Sequence, residues 1–292
     1  HDTLLIFTDK GRVYAEKAYG IAETGRTTVG TPIVNLLEGF DSKNERIVEI
    51  LPIRGFDNDN DITFVLADGT IKRTALAAYR NINRRGIIAI TLEEGNSIVK
   101  IAITKSGDTI VLATRNGMVN QFSIDDVRRV GRSAIGVRGM SFKHEGDYVC
   151  GFAVKAPDTK LLFVTQNGIG KRCDFEDIRM TRRGAKGVIG TPIAGKGGEL
   201  VGIATVKGDE TAILLASNGM TIRITGRLAQ GVRFMSIPGG IELVGFTICP
   251  AVEEDTPTAT EGEQVSITEE TVSAPTESVV EDATVEETTP EA

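Results

Sequence analysis

The 292-residue sequence has no tryptophan, two histidines and three cysteines. Cys150, Cys173 and Cys249 are scattered, and with His1 and His144 they are too few for a structural zinc site, which needs four clustered soft ligands. They do not make a disulfide framework either. No run approaches the roughly 18 apolar residues that a helix needs to cross a bilayer, and the N-terminus lacks the basic-then-apolar pattern of a secretory signal. Neither histidine has a nucleophile beside it, since His144 sits in the polar stretch KHEGD. The glycine-rich AGKGGE at 194–199 lacks the GK[ST] ending of a phosphate loop and reads as a turn between strands. These absences predict a cytoplasmic protein with no membrane contact, no metal, no cofactor and no catalytic residues of its own. Because the sequence opens at His1 inside an apparent strand, it is read as a fragment.

Charge is divided unevenly. Residues 251–292 hold 13 Asp/Glu and no Lys/Arg, which leaves 33 Lys/Arg against 27 Asp/Glu in residues 1–250. A basic body is joined to an acidic tail. The tail has no aromatic residue and no sustained period, so it cannot bury enough apolar surface to offset the entropy of ordering it, and is expected to be disordered. It reads either as a solubilising appendage or as a polyanion that competes for the basic body.

The body repeats. Five segments align: LLIFTDKGRVY from Leu4, ITFVLADGTIKR from Ile62, IVLATRNGMVNQF from Ile110, LLFVTQNGIGKR from Leu161 and AILLASNGMTIRI from Ala212. Their turn glycines, Gly11, Gly69, Gly117, Gly168 and Gly219, are 58, 48, 51 and 51 residues apart. In four of them Asp or Asn precedes the glycine, the pair that supplies the positive φ of a two-residue hairpin turn. A polar connector then leads to a second glycine, Gly30, Gly86, Gly136, Gly187 or Gly231, followed by an apolar strand such as Thr31-Pro32-Ile33-Val34 or Ile87-Ile88. A further apolar stretch closes each unit. The fifth connector is about seven residues shorter than most others, so its outer segment is expected to be trimmed. Four short strands per unit at this period predict an all-β, propeller-like fold of five visible four-stranded units spanning 1–250.

Rotational repetition places equivalent residues around one rim. Arg26, Arg132, Arg183 and Arg227 stand four residues before the loop glycines, while the second unit places Arg84 and Arg85 directly before Gly86. Lys72, Arg73, Lys171, Arg172 and Arg223 follow the hairpin turns, and Arg128 and Arg129 add to the third connector. Such a belt suits a bent duplex: each phosphate contact releases counterions, and distributed contacts offset a bending energy of about 1–6 kcal/mol for each 20–30 base pairs. Arg can hold a phosphate through two parallel hydrogen bonds. No base-reading module is visible, so sequence-tolerant binding of duplex DNA is expected.

HDTLLIFTDKGRVY at the N-terminus, GTPIVNLL at 30–37, KRTALAAYRNI at 72–82, IGVRGM at 135–140 and AQGVRFM at 229–235 resemble the C-terminal domain of the DNA gyrase A protein, a β-pinwheel that wraps DNA, over residues 1 to about 248. That family's QRRGG(K/R)G box, which lies in the first of its six blades, is absent here. TRRGAKG at 181–187 looks like a degenerate equivalent, with Arg182, Arg183 and Lys186 in the basic places. The resemblance implies six blades in the intact domain, with the missing one upstream and an exposed edge near Leu4 or near 241–248. It also implies a part in an ATP-dependent type II topoisomerase that introduces negative supercoils. The gyrase B protein and the rest of the gyrase A protein, in an A2B2 assembly, would be the partners, with ATP and Mg used elsewhere. None of Tyr14, Tyr19, Tyr79 or Tyr148 resembles the family's DNA-cleaving tyrosine. Two alternatives remain: the C-terminal domain of the corresponding topoisomerase IV protein, and a propeller that scaffolds proteins, which would show an apolar patch in place of a cationic rim.

Overall fold

The computed structural model describes residues 1–25, 28–190, 197–208, 210–225, 232–233 and 240–249. Arg26, Arg227, most of the fifth connector and the acidic tail lie outside the described residues.

Five hairpins form where the turn chemistry predicts them. All five turn glycines have positive φ, between +72° and +83°. In chain order the first repeat contributes β1 (Thr3–Thr8), β2 (Arg12–Lys17) and β3 (Ile47–Ile53). The second contributes β4 (Asp61–Leu66), β5 (Thr70–Ala75), β6 (Ile87–Ile88) and β7 (Ile98–Thr104), and the third β8 (Thr109–Thr114), β9 (Met118–Ser123), β10 (Val137–Arg138) and β11 (Val149–Val154). The fourth supplies β12 (Lys160–Thr165), β13 (Ile169–Cys173), β14 (Val188–Ile189) and β15 (Leu200–Val206). The fifth supplies β16 (Thr211–Ala216), β17 (Thr221–Thr225), β18 (Val232–Arg233) and β19 (Leu243–Cys249).

These strands make five small antiparallel sheets in a ring, ordered β3-β1-β2-β6, β10-β5-β4-β7, β11-β8-β9-β14, β15-β12-β13-β18 and β17-β16-β19. The fourth strand of a sheet does not come from its own repeat. β6 crosses back to β2, β10 to β5, β14 to β9 and β18 to β13. The second to fifth repeats therefore each build three strands of one blade and donate a two-residue strand to the blade before it, which corrects the expectation of four-stranded repeat units. The fifth sheet has three strands among the described residues.

The first repeat's equivalent segment departs from its expected strand. It holds a short 3-10 turn at Ile33–Asn35, with Thr31, Pro32 and Val34 exposed. No preceding blade offers it a ladder among the described residues, and Pro32 has no N–H to donate. The edge expected near Leu4 is also not there, because β1 pairs on both sides, with β2 and β3.

Packing explains the long apolar runs. Alternate residues of one strand face opposite neighbours, so in β8 Ile110 and Leu112 pack towards the second sheet while Val111 and Ala113 pack towards the fourth. All six residues of β4 are buried. Between the first two sheets Phe7 meets Phe64 and Tyr79 edge-on, with ring centroids 5.6 and 6.3 Å apart. Five inner strands, β3, β7, β11, β15 and β19, line a central channel of about 590 Å³. The donated strands consequently occupy the opposite, outer edge of the first four sheets.

The second set of glycines makes the donation possible. A Cβ on Gly187 would lie 2.2 Å from the Val119 carbonyl oxygen, and one on Gly136 2.7 Å from that of Ile71. Beyond the strand, the Gly11 carbonyl accepts the N–H groups of Ala89 and Ile90 at 2.8 and 3.1 Å, and the Gly69 carbonyl those of Gly139 and Met140 at 2.8 and 3.1 Å. Turn glycine and donated segment are clasped together.

Candidate nucleic-acid interface

The connector that precedes each donated strand runs along the outer strand of the neighbouring blade. Val130 N–H bonds to the Arg73 carbonyl at 2.9 Å, and at the equivalent place in the next repeat Thr181 N–H bonds to the Gln121 carbonyl at 2.8 Å. Hydrogen-bonded main chain thus carries the basic connector residues along the outer edges of the sheets.

Several predicted cations stand free there. Arg84, Arg128, Arg182 and Lys186 are exposed, and none of their side chains has a hydrogen-bond or ion-pair partner among the described residues. Arg223 in β17 is likewise exposed, and neither its side chain nor those of the half-buried Arg132 and Arg172 has a partner among the described residues. Arg85 is exposed with its Nε 3.4 Å from Glu38, a geometry worth little in water.

Other predicted positions are turned inward. Lys72 is 1 % exposed; its ammonium donates to the carbonyls of Ala89, at 2.6 Å, and Arg132, and lies 5.3 Å from the centre of the Phe64 ring. Arg73 is 4 % exposed and ion-paired with Asp61 and, at 3.0 Å, with Asp125. The donated strand, the connector and the sheet beside them close over both side chains, so these two positions are withdrawn from the set of accessible phosphate contacts. Arg129 is half engaged: its Nε lies 2.8 Å from Asp61 and its Nη2 donates to the Asp59 carbonyl at 2.9 Å. Within TRRGAKG the three cations divide. Arg183 donates to the carbonyls of Asp126 and Arg138 at 3.0 and 2.7 Å, holding the connector in place, while Arg182 and Lys186 face solvent. Lys171 is half-buried beside the Gly190 carbonyl at 3.5 Å.

Charge perturbation follows this division. Burial pulls the Lys72 ammonium down to about 7, helped by the nearby Arg132. For Arg73 burial opposes the charge, but bonds to Asp61 and Asp125 outweigh it and raise the guanidinium further. A hydroxyl bond from Ser106, then the Gly107 N–H, holds the Asp125 carboxyl below the usual range. Burial pushes the thiols of Cys150 and Cys173 up to about 12 and 11, so both stay protonated at neutral pH. Among the described residues no group of three or more His, Cys, Asp and Glu could hold a metal ion, and no helix is long and apolar enough to cross a membrane.

Some basic residues were not anticipated from the sequence. Lys10 and Arg12 line one open groove of about 740 Å³ with the predicted Arg132 and with Gly86, Ile87, Ile88 and Ser133, bringing the first three repeats together. Arg12 donates to the Arg85 carbonyl and its guanidinium lies 5.3 Å from the Tyr14 ring centre. Arg12 carries no periodic signal, since no other repeat has a cation directly after its turn glycine. Arg138, exposed in β10, does carry one: Gly-Val-Arg occurs at 136–138 and again at 231–233.

A ring of small antiparallel sheets that exchange their outer strands, edged by exposed guanidinium groups, defines a propeller-like protein with a polybasic perimeter. The family model described as the DNA gyrase C-terminal domain, beta-propeller, matches residues 2–52, 67–105, 108–151, 159–207 and 221–250, and the chain belongs to that family. It is 40 % identical over 248 residues to the DNA gyrase A protein of Deinococcus deserti, covering 81 % of this chain and 30 % of that protein. With the DNA gyrase A protein of Staphylococcus aureus strain MRSA252 it shares 34 % identity, covering 97 % of this chain and 32 % of the relative. The chain thus spans about a third of the length of these curated relatives. In fold it resembles the C-terminal domain of DNA topoisomerase IV, with a TM-score of 0.75 at 22 % identity over 86 % of this chain and 80 % of that one. The DNA gyrase A C-terminal domain gives 0.70 at 24 % identity, with 85 % and 82 % covered.

Proposed function

We propose that this domain binds duplex DNA along its outer perimeter and bends it, as the wrapping module of a gyrase. The observation that carries the reading is the row of exposed cations, unpartnered among the described residues, on connectors at the outer sheet edges: Arg84, Arg128, Arg182 and Lys186. Spread along a convex edge, such groups attract a stiff polyanion from several directions, and released counterions supply the driving force. With most contacts directed at phosphates, binding tolerates sequence. In a full assembly with the gyrase B protein and the remainder of the gyrase A protein, two copies of each, strand cleavage and the use of ATP and Mg would take place outside this chain. This domain's share would be geometric, fixing the hand of the held segment in the cytoplasm so that passage introduces negative supercoils. The names of its relatives favour gyrase over topoisomerase IV.

The test is binding of a linear duplex longer than about 30 base pairs, titrated with salt. Affinity should fall with a log–log slope near −0.9 for each phosphate contact, a total slope of about −3.6 for these four cations. A slope near zero would sink the reading.

A further inference from the structure

Three residues after the turn glycine, the second, third and fourth repeats carry Lys72, Asn120 and Lys171. All three side chains reach equivalent acceptors. Lys72 donates to the Ala89 carbonyl at 2.6 Å, Asn120 to that of Gly139 at 3.2 Å, and Lys171 to that of Gly190 at 3.5 Å. Ala89, Gly139 and Gly190 each lie three residues past a loop glycine, in the segment the repeat sends back to its predecessor. Two of these side chains also reach forward. Lys72 donates to the Arg132 carbonyl and Asn120 donates to the Arg182 carbonyl at 3.3 Å, each in the connector of the next repeat. Asn120 further accepts from the Thr181 hydroxyl. One side chain thus ties a segment sent backward to a basic connector received from ahead. The first and fifth repeats differ, with Tyr14 and Ile222 in this place; Tyr14 donates to Glu45 at 3.3 Å instead.

Lys72 is an odd choice for mere filling. It is buried, no carboxylate contacts it among the described residues, and an uncompensated buried ammonium is costly where methionine would pack as well. What the ammonium supplies is several N–H donors aimed at two separate stretches of main chain. The Ala89 carbonyl also accepts from the Tyr79 hydroxyl at 3.3 Å, whereas the Arg132 carbonyl on the connector has only Lys72 as a side-chain donor among the described residues.

We propose that Lys72 and Asn120 are positioning residues for DNA contact, each fixing the main chain of the connector that carries Arg132 or Arg182 before a phosphate arrives. This rests on reading the perimeter as the DNA-binding edge. A connector ordered in advance avoids losing backbone freedom on binding. The latch therefore acts on affinity without adding a contact.

Lys72→Met and Asn120→Leu, which keep the bulk and remove the donors, separate this role from a phosphate contact. In Lys72→Met, amide hydrogen exchange over residues 128–136 should quicken by about tenfold with residues 179–187 unchanged, and Asn120→Leu should show the reverse. Duplex affinity should fall by about three- to tenfold in each, with an unaltered salt slope, whereas Arg132→Ala or Arg182→Ala should flatten the slope by about 0.9. Lys72→Gln, a shorter neutral donor, should recover part of the exchange protection. Unchanged exchange in both connectors would overturn the latch. Quickened exchange with undiminished DNA affinity would overturn its role in binding. If Arg132→Ala and Arg182→Ala leave affinity and slope untouched, the DNA-binding reading of the edge fails instead, while the exchange data still judge the latch.

Discussion

Arg129 reaches back from the third repeat to the carboxylate of Asp61 in the second, its Nε lying 2.8 Å from one oxygen. The same buried carboxylate binds Arg73, whose guanidinium continues to Asp125 at 3.0 Å. One anion thus holds two cations, and it joins the strand on which a connector lies to the connector itself. The buried Arg73 guanidinium, left without Asp61, would keep only the half-exposed Asp125 to offset its desolvation, so Asp61→Ala should lower stability by about 3–5 kcal/mol. Urea denaturation measures this. Loss of under about 1 kcal/mol would mean that water or Asp125 takes over. Arg129→Ala should also destabilise while leaving the salt slope of DNA binding as it was.

Within the 181–187 stretch, function and structure should separate by residue. Arg182 and Lys186 are exposed with no side-chain partner among the described residues, whereas the Arg183 fork holds the carbonyls of Asp126 and Arg138. The double change Arg182→Ala with Lys186→Ala should reduce the salt slope by about 1.8 and leave thermal unfolding unmoved. Arg183→Ala should do more to the melting temperature than to the slope. An identical slope in the double variant would remove both cations from the interface.

Glycines at the crossing points offer a test of strand donation. Gly187 has a φ of +74°, and an added Cβ would meet the Val119 carbonyl oxygen at 2.2 Å. Gly187→Ala should therefore displace the donated strand from β9 and cost about 1–3 kcal/mol or more. Gly30 has nothing within 4 Å of its would-be Cβ and no positive φ, and Gly30→Ala should change stability by less than about 0.5 kcal/mol. Equal effects at the two positions would contradict the packing account.

Lys72 gives a pH signature with a defined sign. Burial holds its folded-state pKa near 7, while the unfolded chain keeps the proton to about 10.4. Between these values the unfolded state binds more protons, so the penalty of burying the charge is fully present below pH 7 and disappears as pH climbs towards 10. The groups facing it are Arg132, which lowers its pKa, and the Tyr79 hydroxyl, itself raised by burial and sharing the Ala89 acceptor. Stability measured from pH 7 to 9 should rise in the wild type relative to Lys72→Met. Parallel curves would show that Lys72 stays charged throughout.

Much of the architecture was legible because local chemistry dictates it. The Asp-Gly and Asn-Gly pairs at 68–69, 116–117, 167–168 and 218–219 demand positive φ, and β4, with neighbouring sheets on both faces, reads as one unbroken apolar run. The owner of the fourth strand was not legible. Nothing in Val188-Ile189 says that its ladder partners are Met118 and Val119 of the preceding blade, seventy residues back, and not strands of its own repeat. The inward cations were hidden for a similar reason: Arg73 looks like any periodic strand-end arginine until Asp61 and Asp125 converge on it from the adjacent strand and the next repeat. Periodicity locates a residue along the rim but does not say which side of the strand faces the closing connector.

Residues 251–292 carry 13 carboxylates and no basic group, joined to a body with a surplus of Lys and Arg. A covalently attached polyanion competes with DNA for the same cations at an effective concentration far above that of free DNA in a binding assay. Deleting 251–292 should therefore tighten duplex binding at low salt, by about tenfold or more. Screening weakens the competitor as ionic strength rises, so the two proteins should converge near the salt concentration at which binding itself is lost. If truncation leaves low-salt affinity unchanged but lowers solubility, the tail acts only through charge repulsion between molecules.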